Sequence, residues 1–139
     1  MNRAIPMGLV FLTVMVASCA RPKGTSFRPE VVEPSKAVVY VYRLPRSWAG
    51  RPVLVSIDQQ LVGRLDAGQY LARQVEPGQR VVLIVGESDA VRQVSLIAGD
   101  SAFLEVHSSY WDGRPTVDLL DEQAAKSRIA QTGRAEPSR

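Results

Sequence analysis

The run Ala37-Val-Val-Tyr-Val-Tyr-Arg-Leu44 limits the architecture of this chain more than any other stretch. Side chains alternate across the two faces of a strand, and here both faces are β-branched or aromatic. Such a strand needs cover on both sides, which makes it a central one. Pro45 ends it. Arg51-Pro52 then opens a second strand, with Val53, Val55 and Ile57 sharing a face. Asp58-Gln59-Gln60 turns the chain into Leu61-Val-Gly-Arg-Leu65, where alternation puts Leu61 and Leu65 on one face and Arg64 on the other.

Turn signals recur at short intervals from there. Asp66-Ala-Gly68 leads into Tyr70–Val75. In Glu76-Pro-Gly-Gln79 proline presets φ and glycine accepts the positive φ of a type II turn. Val81–Val85 is wholly apolar, Val91–Leu96 follows, and Ala98-Gly-Asp100 precedes Ala102-Phe-Leu-Glu-Val-His107. Short strands at near-regular spacing predict an all-β, mainly antiparallel fold: a small β-sandwich or partly open barrel. The end differs, since Asp121 can cap a short helix through Ile129 that closes near Gly133. That helix is weakly amphipathic and needs the sheet for its stability.

The N-terminus fixes an expected location. Asn2 and Arg3 precede a nearly uninterrupted apolar run from Pro6 to Ala17. The run falls short of the ~20 residues that span a bilayer, so a cleaved secretory signal is expected rather than a permanent helix. It leads into Val16-Ala-Ser-Cys19, which holds the only cysteine in the chain. These four residues resemble the lipobox of bacterial lipoproteins. The resemblance implies cleavage before Cys19, diacylglycerol on its sulfur and an acyl chain such as palmitate on its new amine. A single acyl chain anchors only marginally, whereas two or three hold a protein on the bilayer. Ala20 after the cysteine, by the sorting rule of Gram-negative lipoproteins, favours the outer membrane, facing the periplasm. Residues 1–18 are thus expected to be signal peptide and 19–36 a flexible tether rich in Pro and Gly, able to reach roughly 50 Å when stretched. Phe27, Val31 and Val32 are the tether residues able to pack on the domain. The domain itself is placed at 37–132, with a disordered tail at 133–139.

The order of motifs from Ala37 to Ile129 resembles a bacterial lipoprotein family catalogued as domain of unknown function 2846. The resemblance rests on Val39-Tyr-Val-Tyr-Arg43, the hairpin from Ile57-Asp58 to Gly63-Arg-Leu65, and Gly68-Gln-Tyr70. It continues through Val75-Glu-Pro-Gly78, Leu96-Ile-Ala-Gly99, Phe103-Leu-Glu-Val106 and Val117-Asp-Leu-Leu-Asp-Glu122. Two departures stand out. The hairpin turn lacks the usual glycine, predicting a longer or strained turn, and Asp100-Ser101 replaces a Lys-Thr pair. The resemblance implies a small, surface-anchored β domain and supplies no reaction.

Chemistry-bearing motifs are sparse. The formal charge of +3 falls to about +2 once Arg3 is removed, and it is dispersed, so no nucleic-acid partner is expected. The only histidine, His107, alternates with Glu105 and Phe103. Glu105-x-His107 is a relay or metal fragment on one reading and a solvent-facing sandwich edge on the other, and the second is expected. Zinc wants three or four ligands. No nucleophile elbow, P-loop or dinucleotide fingerprint is present. No catalytic residue, metal or cofactor is expected, and a hydrolase acting near His107 is the remote alternative. Asp118, Asp121 and Glu122 read as helix-start acids. Aromatic loops are the better lead. Trp48 lies in Pro45-Arg46-Ser-Trp-Ala-Gly-Arg51-Pro52, and Tyr110-Trp111 lies before Gly113-Arg114-Pro115. Trp48, Tyr110 and Trp111 with Arg46, Arg51 and Arg114 form either partner and glycan contacts or, for the tryptophans, plugs at the core's ends. The expected function is a non-catalytic accessory or scaffold domain meeting envelope proteins. The alternative is a module that reads peptidoglycan or lipopolysaccharide.

Overall fold

Two sheets face one another across an aliphatic core. The computed structural model describes residues 24–45 and 51–138. The strands are β1 Ala37–Tyr42, β2 Val53–Ile57, β3 Gln60–Leu65, β4 Gln69–Val75, β5 Gly78–Val85, β6 Asp89–Leu96, β7 Ser101–Ser108 and β8 Pro115–Leu120. Helix α1 covers Glu122–Ile129, and β9 is Gly133–Arg134. One sheet has the order β8-β7-β1-β4-β9 and the other β3-β2-β5-β6. Pairing is antiparallel except where β1 meets β7 and β4 meets β9. Strand β3 lies near β4, and β6 near β8, yet the sheets remain separate, so this is a small β-sandwich rather than a closed barrel.

The central strand has the double cover its composition requires. Ala37, Val39 and Val41 enter the core between the sheets with Val55, Leu65, Ile84 and Leu104. Val38, Tyr40 and Tyr42 point the other way and join Tyr70, Phe103, Ala125 and Ile129. That second cluster is capped by α1 and by the chain before β1, making three layers at this side. Asp121 caps α1 as expected, its Oδ1 accepting from the Ala124 backbone N–H at 2.9 Å.

Both flanks of the domain depart from expectation. Residues 24–36, expected to be a tether, cross the outer face of the five-stranded sheet. Phe27 packs edge-on against Tyr40 and Tyr70, with centroids 5.5 and 5.2 Å away. The Glu30 N–H donates to the Tyr40 hydroxyl at 2.7 Å, and Gln74 exchanges hydrogen bonds with Glu33 N–H and Val31 O, both at 3.1 Å. Val31 itself stays exposed. The expected tail is docked as well. Gly133–Arg134 adds to β4, Arg134 N–H donates to Thr25 O at 2.7 Å, and Ser138 N–H donates to Val62 O at 2.9 Å. Gly24 has φ +98, and a Cβ there would collide with the Arg134 carbonyl. The two ends therefore bind one another, and unmet backbone groups at the sheet edges explain why.

Two local differences have clear causes. The hairpin turn is tight, because Ile57 already pairs with Gln60, and Asp58 and Gln59 alone make the turn at φ 48 and 67. Asp58 holds it by accepting from the Val81 N–H and from Arg80, both at 2.9 Å. Beyond it the register shifts between Val55 and Ser56. This bulge puts Val62 and Gly63 on the buried side together and turns Leu61 outward, away from the face of Leu65. Asp118, expected among the helix-start acids, lies instead in the additional strand β8.

Candidate functional site

Alternation along β7 places Glu105 and His107 on the outer face of the five-stranded sheet, beneath α1. The expected solvent-facing edge is corrected here: Glu105 is 1 % exposed. Arg128 on α1 clasps it with a two-pronged pair, Nε to Oε2 and Nη2 to Oε1, each 2.5 Å. His107 Nε2 lies 3.3 Å from Glu105 Oε1 and 3.4 Å from Asp118 Oδ2 on β8. Asp118 thus belongs to this strand pair and not to the helix start. Burial disfavours the Glu105 carboxylate, but the Arg128 hydrogen bonds, the Tyr42 hydroxyl and the charges of His107 and Arg128 outweigh it and hold its pKa below the usual range. Tyr42 is pushed strongly upward by burial and by that carboxylate. A carboxylate held in this way is a poor proton acceptor. The cluster fastens α1 to the sheet. No group of three or more His, Cys, Asp or Glu residues fit for a metal occurs among the described residues.

The other constellation lies at one end of the sandwich. Arg51, entering β2, and Trp111, in the β7–β8 loop, line the same groove of about 780 Å³. Its floor includes Val53, Leu54 and Val85, and its rim includes Glu87 and Asp112. Arg51 Nη1 pairs with Glu87 Oε1 at 2.7 Å across the opening. The β7–β8 loop closes on itself: Ser109 N–H donates to Arg114 O at 2.9 Å, and Gly113 N–H donates to Ser109 O at 3.0 Å. Gly113, at φ +67, makes that closure possible. The Ser109 hydroxyl, the Arg114 backbone N–H and the Arg114 charge hold the exposed Asp112 carboxyl below its ordinary pKa. Trp111 stands at the loop tip, 90 % exposed, with Tyr110 edge-on at 5.1 Å and 88°. It plugs nothing.

A buried arginine braces this end. Arg43 is fully buried, and its Nη1 donates to Arg51 O at 2.9 Å and Leu65 O at 3.4 Å, while Nη2 donates to Ser108 Oγ at 3.1 Å. It ties the entry to β2, the end of β3 and the end of β7 into one unit beneath the groove. Burial lowers its pKa, opposed by the charge of Asp66. Guanidinium stays charged through such a shift.

Of the residues singled out from the sequence, Arg51 and Trp111 meet in the groove, Tyr110 touches Trp111, and Arg114 pairs with Asp112 at 3.2 Å. Cys19, Arg46 and Trp48 lie outside the described residues. Glu87 and Asp112 carried no signal in the sequence, since a charge beside Gly reads as ordinary loop surface, and Arg43, which closes the Val39–Arg43 motif, gave no sign that it would turn inward as a brace. Among the described residues no helix is long and apolar enough to cross a membrane. Compared with known proteins, the chain matches no family model and no curated sequence.

Proposed function

We propose that this chain is a membrane-anchored bacterial envelope lipoprotein whose β-sandwich is a non-catalytic accessory domain, presenting the Arg51–Trp111 groove to an envelope partner. The lipobox-like Val16-Ala-Ser-Cys19 and the strand motifs resembling the family of domain of unknown function 2846 support the anchor and the class. The observation that carries the binding role is Trp111, held in water on a closed loop beside an ion pair and over an apolar floor. Leaving an indole in water forgoes the stabilisation its burial brings, and a partner that covers it restores that term. With residues 24–36 docked, only Ala20 to Lys23 separate Cys19 from the folded part, a reach of about 15 Å. The anchor then holds the domain close against the bilayer.

The groove's make-up also favours a second reading, a glycan-binding module. An indole face stacks on the C–H face of a sugar ring, while Arg51, Glu87 and Asp112 offer charged partners for hydroxyl, amide or carboxylate groups. Purified peptidoglycan sacculi and lipopolysaccharide micelles are the probes. Retention of the wild type, reduced about tenfold or more by Trp111→Ala, establishes glycan binding, and retention indifferent to that change refutes it. For the accessory role, a photo-reactive residue at Arg114 in cells should capture one defined envelope protein, and Trp111→Ala should abolish the adduct. The anchor is tested by mass spectrometry of the mature protein. Cys19 as the acylated first residue supports it, whereas an unmodified thiol or an intact Met1 overturns it.

A further inference from the structure

The outer face of the four-stranded sheet carries an apolar field that, among the described residues, is met only by the Trp111 loop at its Leu54–Val85 end. Strand registers place Leu61, Ser56, Leu83 and Val91 in one row across β3, β2, β5 and β6. The neighbouring row reads Arg64, Leu54, Val85 and Asp89. Leu61 and Val91 are 48 and 58 % exposed, and Leu54 is 43 % exposed. The charges are sorted: Arg64 stands on the β3 side and Asp89 on the β6 side of the same row. Arg64 has only a long contact of 3.8 Å to Asp66, and Asp89 has no ion pair among the described residues.

We infer that this face binds a second copy of the chain, sheet on sheet, about a two-fold axis between β2 and β5 that lies within about 15° of the strand direction. That operation exchanges the two sides of each row. Leu54 lands on Val85 of the second copy, Leu61 on Val91 and Ser56 on Leu83, and Arg64 meets Asp89 twice. A self-complementary patch of this kind is what an isologous interface requires. Facing sheets pack at about −30°. Arg64 lies about 7 Å from the axis at ordinary strand spacing, so that rotation displaces it from Asp89 by about 4 Å. A guanidinium on a flexible stem spans that gap. The face measures about 19 by 26 Å, about 500 Å² per copy, which is below the ~800 Å² of a standard interface. The dimer is therefore weak and concentration-dependent.

The test is sedimentation velocity of the full chain in mild detergent under reducing conditions, over a ~100-fold concentration range. The expected result is a reversible monomer–dimer equilibrium. Arg64→Glu or Asp89→Arg alone should weaken association about tenfold, because each creates two like-charge contacts in a symmetric dimer. The double variant Arg64→Glu/Asp89→Arg should restore it. Thermal melts of the three variants show whether the domain itself is intact. A chain that stays monomeric throughout overturns the inference. So does a dimer indifferent to the swaps, which assigns association to another surface and leaves this face to the N-terminal segment or a different protein.

Discussion

Both sheets carry apolar residues on their outer faces, with opposite fates. On the five-stranded sheet Val38, Tyr40, Tyr42, Tyr70 and Phe103 lie under Phe27, Ala125 and Ile129. On the four-stranded sheet Leu54, Leu61, Val81 and Val91 remain in water. The strands themselves do not foretell this. Ala37–Tyr42 and Val81–Val85 are both continuous apolar runs, yet the first is buried on both sides and the second on one. What differs is whether distant segments of the same chain return to cover the face. Aromatic residues concentrate where cover arrives, Tyr40 stacking on Phe103 at 4.9 Å, and smaller aliphatics where it does not. The uncovered face is thus suited to a weak, reversible contact, and the covered one to stability.

Stripping the cover should have the largest effect. Ile129→Ala removes a fully buried anchor of α1 and should cost about 2–4 kcal/mol in chemical denaturation. Next is the clasp beneath the helix. Losing one partner of a fully buried pair costs about 3–5 kcal/mol, but Arg128 is 40 % exposed, so Arg128→Ala should cost about 2 kcal/mol. Because folding depresses the Glu105 pKa, its contribution is complete above the unfolded carboxyl value of about 4.3 and is lost as pH falls through the folded one. Glu105→Gln should accordingly flatten the decline of stability below about pH 4.3, read from urea midpoints.

Smaller changes probe the uncovered sheet. Gln59→Gly relieves a left-handed residue in the two-residue turn and should stabilise by about 0.5–1 kcal/mol, raising the melting temperature. Leu61→Thr, on the open face, should leave the monomer within about 0.5 kcal/mol of the parent. A loss as large as that of Ile129→Ala would erase the distinction between the two faces.

Much of the fold was legible locally. Proline and glycine punctuation located most strand limits, β1 announced itself as central, and Asp121 announced the helix. The misses share one character. The bulge that turned Leu61 outward, the docking of residues 24–36 and 133–138, the strand β8, and the burial of Glu105 all depend on partners far along the chain. At the candidate site Arg51 and Trp111 were recognisable as loop residues of binding type. Their meeting in one groove, the ion pair with Glu87 and the brace from Arg43 were not.

The amino-acid order alone determined that short alternating strands must pair, where turns interrupt them, and which residue caps the helix, because those choices rest on φ preferences and hydrogen bonds within a few residues. Tertiary structure decided which apolar face is covered, which carboxylate is buried and which loops share an end. Those outcomes depend on removing surface from water, and a side chain's exposure is set by whatever segment returns to lie on it.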